Sequence, residues 1–183
     1  MPSMTSTAFF LLLLAPLAAM SAPVIPRTAA PAPAPLLVTS TAKGVQNYVC
    51  DYSKGKWLLT GANADLIDDA TGANVGTHYF ENAVPHWKLS ADNSFVAVRA
   101  IFPIPSPDKD APSADGTPAS AKNIPWLVTR KVACSQSGLL STANYVARSD
   151  TVGGVAPPAS TCTPGKHGST VSIDYFAKYY FGK

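Results

Sequence analysis

An all-β domain, an antiparallel β-sandwich or barrel closed by one disulfide, is the fold class that the sequence predicts. Three observations carry it. Short segments rich in Val, Tyr, Phe and Trp, several of them alternating apolar and polar residues, recur along the chain. Clusters of Gly, Pro, Asn and Asp separate them, as turns between strands do. No stretch of a dozen residues keeps a 3.6-residue apolar period free of Gly and Pro, so helices have little support. The 183 residues suit a single domain, since domains commonly run about 100–200 residues.

In chain order, residues 8–20 read AFFLLLLAPLAAM, an apolar run too short to span a bilayer as a helix. Small residues follow, and Ala19-Met20-Ser21 satisfies a small-x-small cleavage pattern, so residues 1–21 are expected to be a signal peptide. Residues 22–42 form a Pro/Ala-rich linker with five prolines between Pro23 and Pro35, a composition that favours extended polyproline geometry. The β domain is then expected over residues 43–183, its folded part beginning near Leu36 or Lys43. Val45–Cys50 and the run from Lys56 read as a hairpin across a Ser-Lys-Gly turn. Ala62–Ile67 could form one helical turn, and Asp68–Asn74 is a turn cluster. Val75–Phe80 and Trp87–Leu89 are short strands. Ser94–Phe102 is a strong strand whose core face is expected to carry Val96, Val98, Ala100 and Phe102. Pro103–Lys122 reads as a loop, with five prolines, three aspartates and no apolar period. Strands resume over 124–133, 139–148 and 171–181; the last places Tyr175, Tyr179 and Phe181 on one face and Phe176 and Tyr180 on the other.

Charged residues make up only 14% of the chain, against roughly 25% in typical domains. The net charge of +3 is spread out, without the basic stripe of a nucleic-acid binder. No second apolar run could span a membrane once the first segment is removed. The three cysteines, Cys50, Cys134 and Cys162, allow one disulfide in any of three pairings. Cys50–Cys162 is favoured, because both flank presumptive strand ends and would tie the first strand to the last turn; Cys134 would be left as a free thiol. Export and a disulfide agree in redox compartment, and a secreted, extracellular location is expected.

Several segments occur in a recognisable order: Gly44-Val-Gln46-Asn-Tyr48-Val-Cys50, Gly76-Thr-His78-Tyr79-Phe80, Trp126-Leu127, Gly138-Leu139, Arg148…Thr151-x-Gly153-Gly154…Pro157…Cys162 and Tyr179…Phe181. Together they resemble the secreted fungal and bacterial proteins grouped as domain of unknown function 3455, over about residues 43–181. The resemblance places Cys50 and Cys162 on the family's two recurrent cysteines and leaves Cys134 as an addition. Fungal members often carry a malate dehydrogenase label. Hydride transfer of that kind needs a βαβ unit with Gly-x-Gly-x-x-Gly at the phosphate, and this chain has no such motif. No cofactor is implied.

The richest polar and aromatic patch is His78, Tyr79, His86, Trp87 and Asp92, the candidate ligand surface. Two histidines eight apart on adjacent strands, with a carboxylate, could serve a metal, yet such histidines more often bond within a sheet. Trp87, between His86 and Lys88, is expected to be the exposed tryptophan, and Trp126 a core residue. Asp68-Asp69 and Asp108/Asp110 are the paired carboxylates that acid–base catalysis would need, and both pairs read as solvated turns. Arg148, Thr151, Gly153, Gly154 and Pro157 read as a structural motif that closes the domain. The composition thus points to a non-catalytic binding protein of the cell surface, with cell-wall polysaccharide stacking on Trp57, Trp87 and Trp126 together with Tyr48, Tyr52 and Tyr79. A His78/His86 enzyme or metal protein, and a secreted effector that meets a host protein through the 103–122 loop, are the alternatives.

Overall fold

The structure, a computed structural model, describes residues 35–106 and 122–183. The expected signal peptide, most of the linker and most of the 103–122 loop, with Asp108 and Asp110, lie outside the described residues. The fold is a closed antiparallel barrel of eight strands: β1 (Leu37–Asp51), β2 (Lys56–Asp68), β3 (Asn74–Glu81), β4 (Val84–Leu89), β5 (Phe95–Ile104), β6 (Trp126–Cys134), β7 (Tyr145–Gly153) and β8 (Thr170–Gly182). Each strand pairs with the next in sequence, and β8 returns to β1. Closure leaves no sheet edge to template pairing with another chain.

The pleat sorts side chains between the two faces. On β8, Tyr175, Ala177, Tyr179 and Phe181 are buried, while Asp174 and Phe176 are exposed. On β1, Gln46, Tyr48 and Cys50 alternate inward against Val45, Asn47 and Val49. The outward positions of the other strands carry Asn63, Thr77, Lys88, Arg99 and Arg130.

Four expectations change. β1 begins at Leu37, so residues 37–42 belong to the barrel and not to a linker; Leu37 and Thr39 pair with Phe181 and Tyr179 of the closing strand. Residues 62–67 lie within β2, where pairing with both β1 and β3 overrides any local helical preference. The segment expected as a strand from residue 139 opens as a 3-10 turn, Leu139–Thr142, and β7 starts only at Tyr145. On β5 the core face holds for Val96 and Val98, but register shifts at Ala97/Val98 and Ala100/Phe102 turn Phe102 outward, and the strand continues through Pro103 to Ile104.

The up-and-down order places the β1–β2, β3–β4, β5–β6 and β7–β8 connections at one end of the barrel. The other end is packed shut. Leu66, Leu89, Val96, Leu140 and Phe181 share one core cluster there. Leu140 enters from the 3-10 turn, which is held by bonds from Leu139 N–H to Asp92 Oδ2 (2.8 Å) and from Leu140 N–H to Ser94 Oγ (3.1 Å). Gly76 lies so close to β4 that a Cβ there would fall on the Lys88 carbonyl oxygen, so the glycine is needed for the approach of the two strands. At the first end a disulfide joins Cys50 to Cys162, with Cα atoms 5.3 Å apart, and Cys134 is a free, half-buried thiol.

Candidate functional site

Above the packed end, the barrel interior holds a cavity of about 290 Å³. An eight-stranded barrel is just wide enough either to fill with side chains or to hold one small ligand. Here small and medium inward residues such as Ala100, Leu127 and Thr129 leave space that Trp87, Tyr48 and Tyr179 border without filling. Leu59, Phe80 and Pro85 line it toward the first end, and Ile124 and Pro125 cross it there. The volume would hold roughly ten waters at ~30 Å³ each.

Arg148 is the charged residue of this wall. It lies on β7 two residues after buried Val146 and so points inward with it. Its Nε–H and Nη2–H both donate to the Pro125 carbonyl oxygen, at 3.1 and 2.7 Å, and the Tyr179 hydroxyl is a further partner. No carboxylate among the described residues pairs with it. Burial pushes its pKa down, an effect partly offset by the neighbouring tyrosines, yet a guanidinium stays charged in proteins. Burial also raises the phenol pKa values of Tyr48, Tyr175 and Tyr179, so these are neutral hydroxyls. The Tyr175 and Tyr179 hydroxyls bond each other at 2.9 Å, and Tyr48 donates to Gly154 O at 2.6 Å.

The patch around His78 and Trp87 divides between two faces. His78 (3% exposed) and Trp87 (4%) face inward and stack, with ring centroids 4.2 Å apart at 12°. Tyr79 and His86 stack on the outer face, with centroids 5.3 Å apart. The reason is register: His78 pairs with Trp87 and Tyr79 with His86, so one ring of each histidine's neighbourhood goes to each side. Trp87, expected to be exposed, is buried for the same reason. Trp126 is half-buried. Asp92 is far from the pair and caps the turn at the packed end. Asp68 likewise caps the β2–β3 turn, and Asp69 pairs with Lys178 at 2.8 Å. Among the described residues no three His, Cys, Asp or Glu side chains gather to hold a metal ion.

His78 Nδ1 lies 2.8 Å from the His86 carbonyl oxygen, which can only accept. The proton is therefore on Nδ1, and Nε2 carries a lone pair. Burial, the largest cause, brings the His78 pKa from the ordinary 6.5 down to about 3; the bond to His86 opposes it and the charges of Arg148 and His86 add to it. A histidine with a folded-state pKa below its unfolded one takes up a proton on unfolding. Stability is thus expected to fall as pH drops below about 6.5, by up to ~1.4 kcal/mol per pH unit. Above roughly pH 4.5 the lowered carboxylates contribute little to this slope. Urea unfolding of wild type and His78→Phe between those limits checks it; parallel stability curves would contradict the assignment.

The Arg148-to-Gly154 motif, expected only to close the domain, also builds the cavity's upper wall. Thr151 Oγ1 donates to Ile124 O at 2.6 Å, Gly153 N–H to Asn123 Oδ1 at 2.8 Å, and Ile124 N–H to Gly153 O at 2.9 Å. With the two bonds from Arg148, they clamp residues 123–125 across the barrel. Gly154 has a φ of +78°, and a Cβ there would meet Tyr175 Cβ at 2.8 Å and Ile124 Cγ2 at 3.0 Å. Only glycine lets β7 turn out at this point while the clamp stays closed. Pro157 follows as the chain leaves for the disulfide-bonded connection.

Residues 31–183 match the family described as a protein of unknown function, DUF3455. The chain belongs to this family. The match includes every described strand of the barrel. No curated protein and no solved structure gives a significant match. Of the cavity's residues, sequence reasoning marked His78 and Trp87 as ligand candidates and Tyr48 as part of a sugar-stacking platform, but took Arg148 for a structural residue and left Gln46 and Phe80 unassigned as ligand contacts. One signal was present: an arginine two positions after a core valine, on the buried side of a strand.

Proposed function

We propose that the barrel is a non-catalytic binding protein that takes a small, largely apolar anion into its interior, with the anionic group on Arg148. One observation carries this reading: a guanidinium faces an apolar, aromatic-walled cavity and no described carboxylate neutralises it. Burying a lone cation is unfavourable, and a bound anion would supply the missing charge. A guanidinium also matches a planar carboxylate better than any other side chain does. Pocket volume and lining agree with a small-molecule site, which is typically apolar with a few convergent polar groups.

Polysaccharide stacking on an outer aromatic platform has less support, since Tyr48 and Trp87 are turned inward. Two features support an exported setting for the binding: the apolar residues 8–20 with their cleavage pattern, and a disulfide of the kind that persists under oxidising conditions.

Calorimetric titration with benzoate and with its neutral isostere benzamide tests the reading. Benzoate is expected to bind saturably at one site, at least about tenfold more tightly than benzamide, the effect of one charge-assisted bond. Equal binding of the two, or none by either, would overturn it.

A further inference from the structure

Beyond the cation, the cavity wall carries one acceptor that the protein itself leaves unused. His78, stacked on Trp87, lines the cavity. Its Nδ1 is engaged with the His86 carbonyl, and no described group bonds its Nε2. Neutral imidazole therefore keeps a lone pair that a hydrogen-bond donor on a ligand would satisfy, and a hydroxyl is the smallest such donor.

We infer that the barrel prefers a carboxylate that carries a hydroxyl, with the carboxylate on Arg148 and the hydroxyl donating to His78 Nε2. The inference rests on the anion reading above and narrows it to a hydroxylated acid. It also gives His78 a role in selecting the ligand, distinct from Arg148's role in holding its charge.

The test is a ligand series on the full chain, with benzoate, the three positional isomers of hydroxybenzoate and their methyl ethers. One hydroxybenzoate isomer is expected to bind at least about tenfold more tightly than benzoate, and its methyl ether, which cannot donate, to lose that gain. His78→Phe keeps an aromatic ring but removes the acceptor, and is expected to cancel the gain of the hydroxybenzoate over benzoate. If benzoate binds with Arg148 dependence but no hydroxybenzoate exceeds it, the hydroxyl inference is overturned and the anion reading stands. If none of these acids binds, both fall. The wild-type series decides between these outcomes even where a variant does not fold.

Discussion

Arg148→Met is expected to lower benzoate affinity by at least about a hundredfold, the largest effect of any single change in the cavity. Truncating one partner of a buried charge pair typically costs about 2–5 kcal/mol, and a hundredfold is about 2.7 kcal/mol. Methionine preserves the length and apolar stem of the side chain and removes only the planar cation. Its effect on folding is smaller and has two opposing parts. The variant loses the two bonds to the Pro125 carbonyl, which close the upper wall. It also relieves a half-buried charge that no described carboxylate pairs, which is itself unfavourable. Stability is expected to stay within ~2 kcal/mol of wild type, so lost binding would not reflect an unfolded chain. Arg148→Lys separates charge from shape: it keeps the cation but cannot present the fork, and is expected to bind benzoate with intermediate affinity. Titration of both variants, with near-ultraviolet circular dichroism as the check on folding, measures this. Undiminished benzoate affinity in folded Arg148→Met would remove the basis of the proposed function.

The barrel was legible where local pattern and tertiary pairing agree. Tyr175, Tyr179 and Phe181 alternate with Phe176 and Tyr180 on a strand with one buried face, and the pattern alone assigns that face. The hairpin from β1 to β2 follows from a Gly turn between β-forming segments, and Gly55 adopts the left-handed conformation that such a turn requires. Closure into a barrel rather than a sandwich was not legible, because both present alternating strands and differ only in whether the first strand meets the last. β1 decides the matter by pairing with β8 from Leu37 to Ser40 and again from Gly44 to Val49, and no local signal in the sequence announces a partner so distant. The site was half legible for a related reason. Sequence shows that His78 and Trp87 are chemically capable, but sidedness depends on the register between β3 and β4. Arg148 was hidden by its motif: beside Thr151, Gly153 and Gly154 it reads as the polar end of a strand in a closing turn, whereas the strand continues to Gly153 and carries the arginine inward.

Replacing both Cys50 and Cys162 by serine is expected to cost about 4–5 kcal/mol of stability by chain-entropy reasoning, since the bridge closes a loop with a sequence separation of 112. Domains of this size have total stabilities of ~5–15 kcal/mol, so the loss would leave the barrel close to its margin. The native state has other ties at the same place. Cys50 N–H donates to Ser169 O and Gly168 N–H to Cys50 O, both at 2.9 Å, and Trp57 Nε1–H donates to Thr161 Oγ1 at 3.0 Å. These bonds hold the β7–β8 connection against the end of β1 without the sulfurs. The disulfide therefore acts mainly on the unfolded chain, and the folded variant is expected to retain the cavity, which neither cysteine lines. Urea unfolding should show a much lower midpoint, while benzoate affinity measured well below that midpoint stays within about twofold of wild type. The comparison is best made with Cys134→Ser in both proteins, because a free thiol can exchange with the bridge. A loss below about 1 kcal/mol would mean that the reduced, unfolded chain keeps the two ends of this loop together by other contacts. A large loss of affinity in the folded variant would mean instead that the bridge shapes the mouth of the barrel and not only the ensemble it folds from.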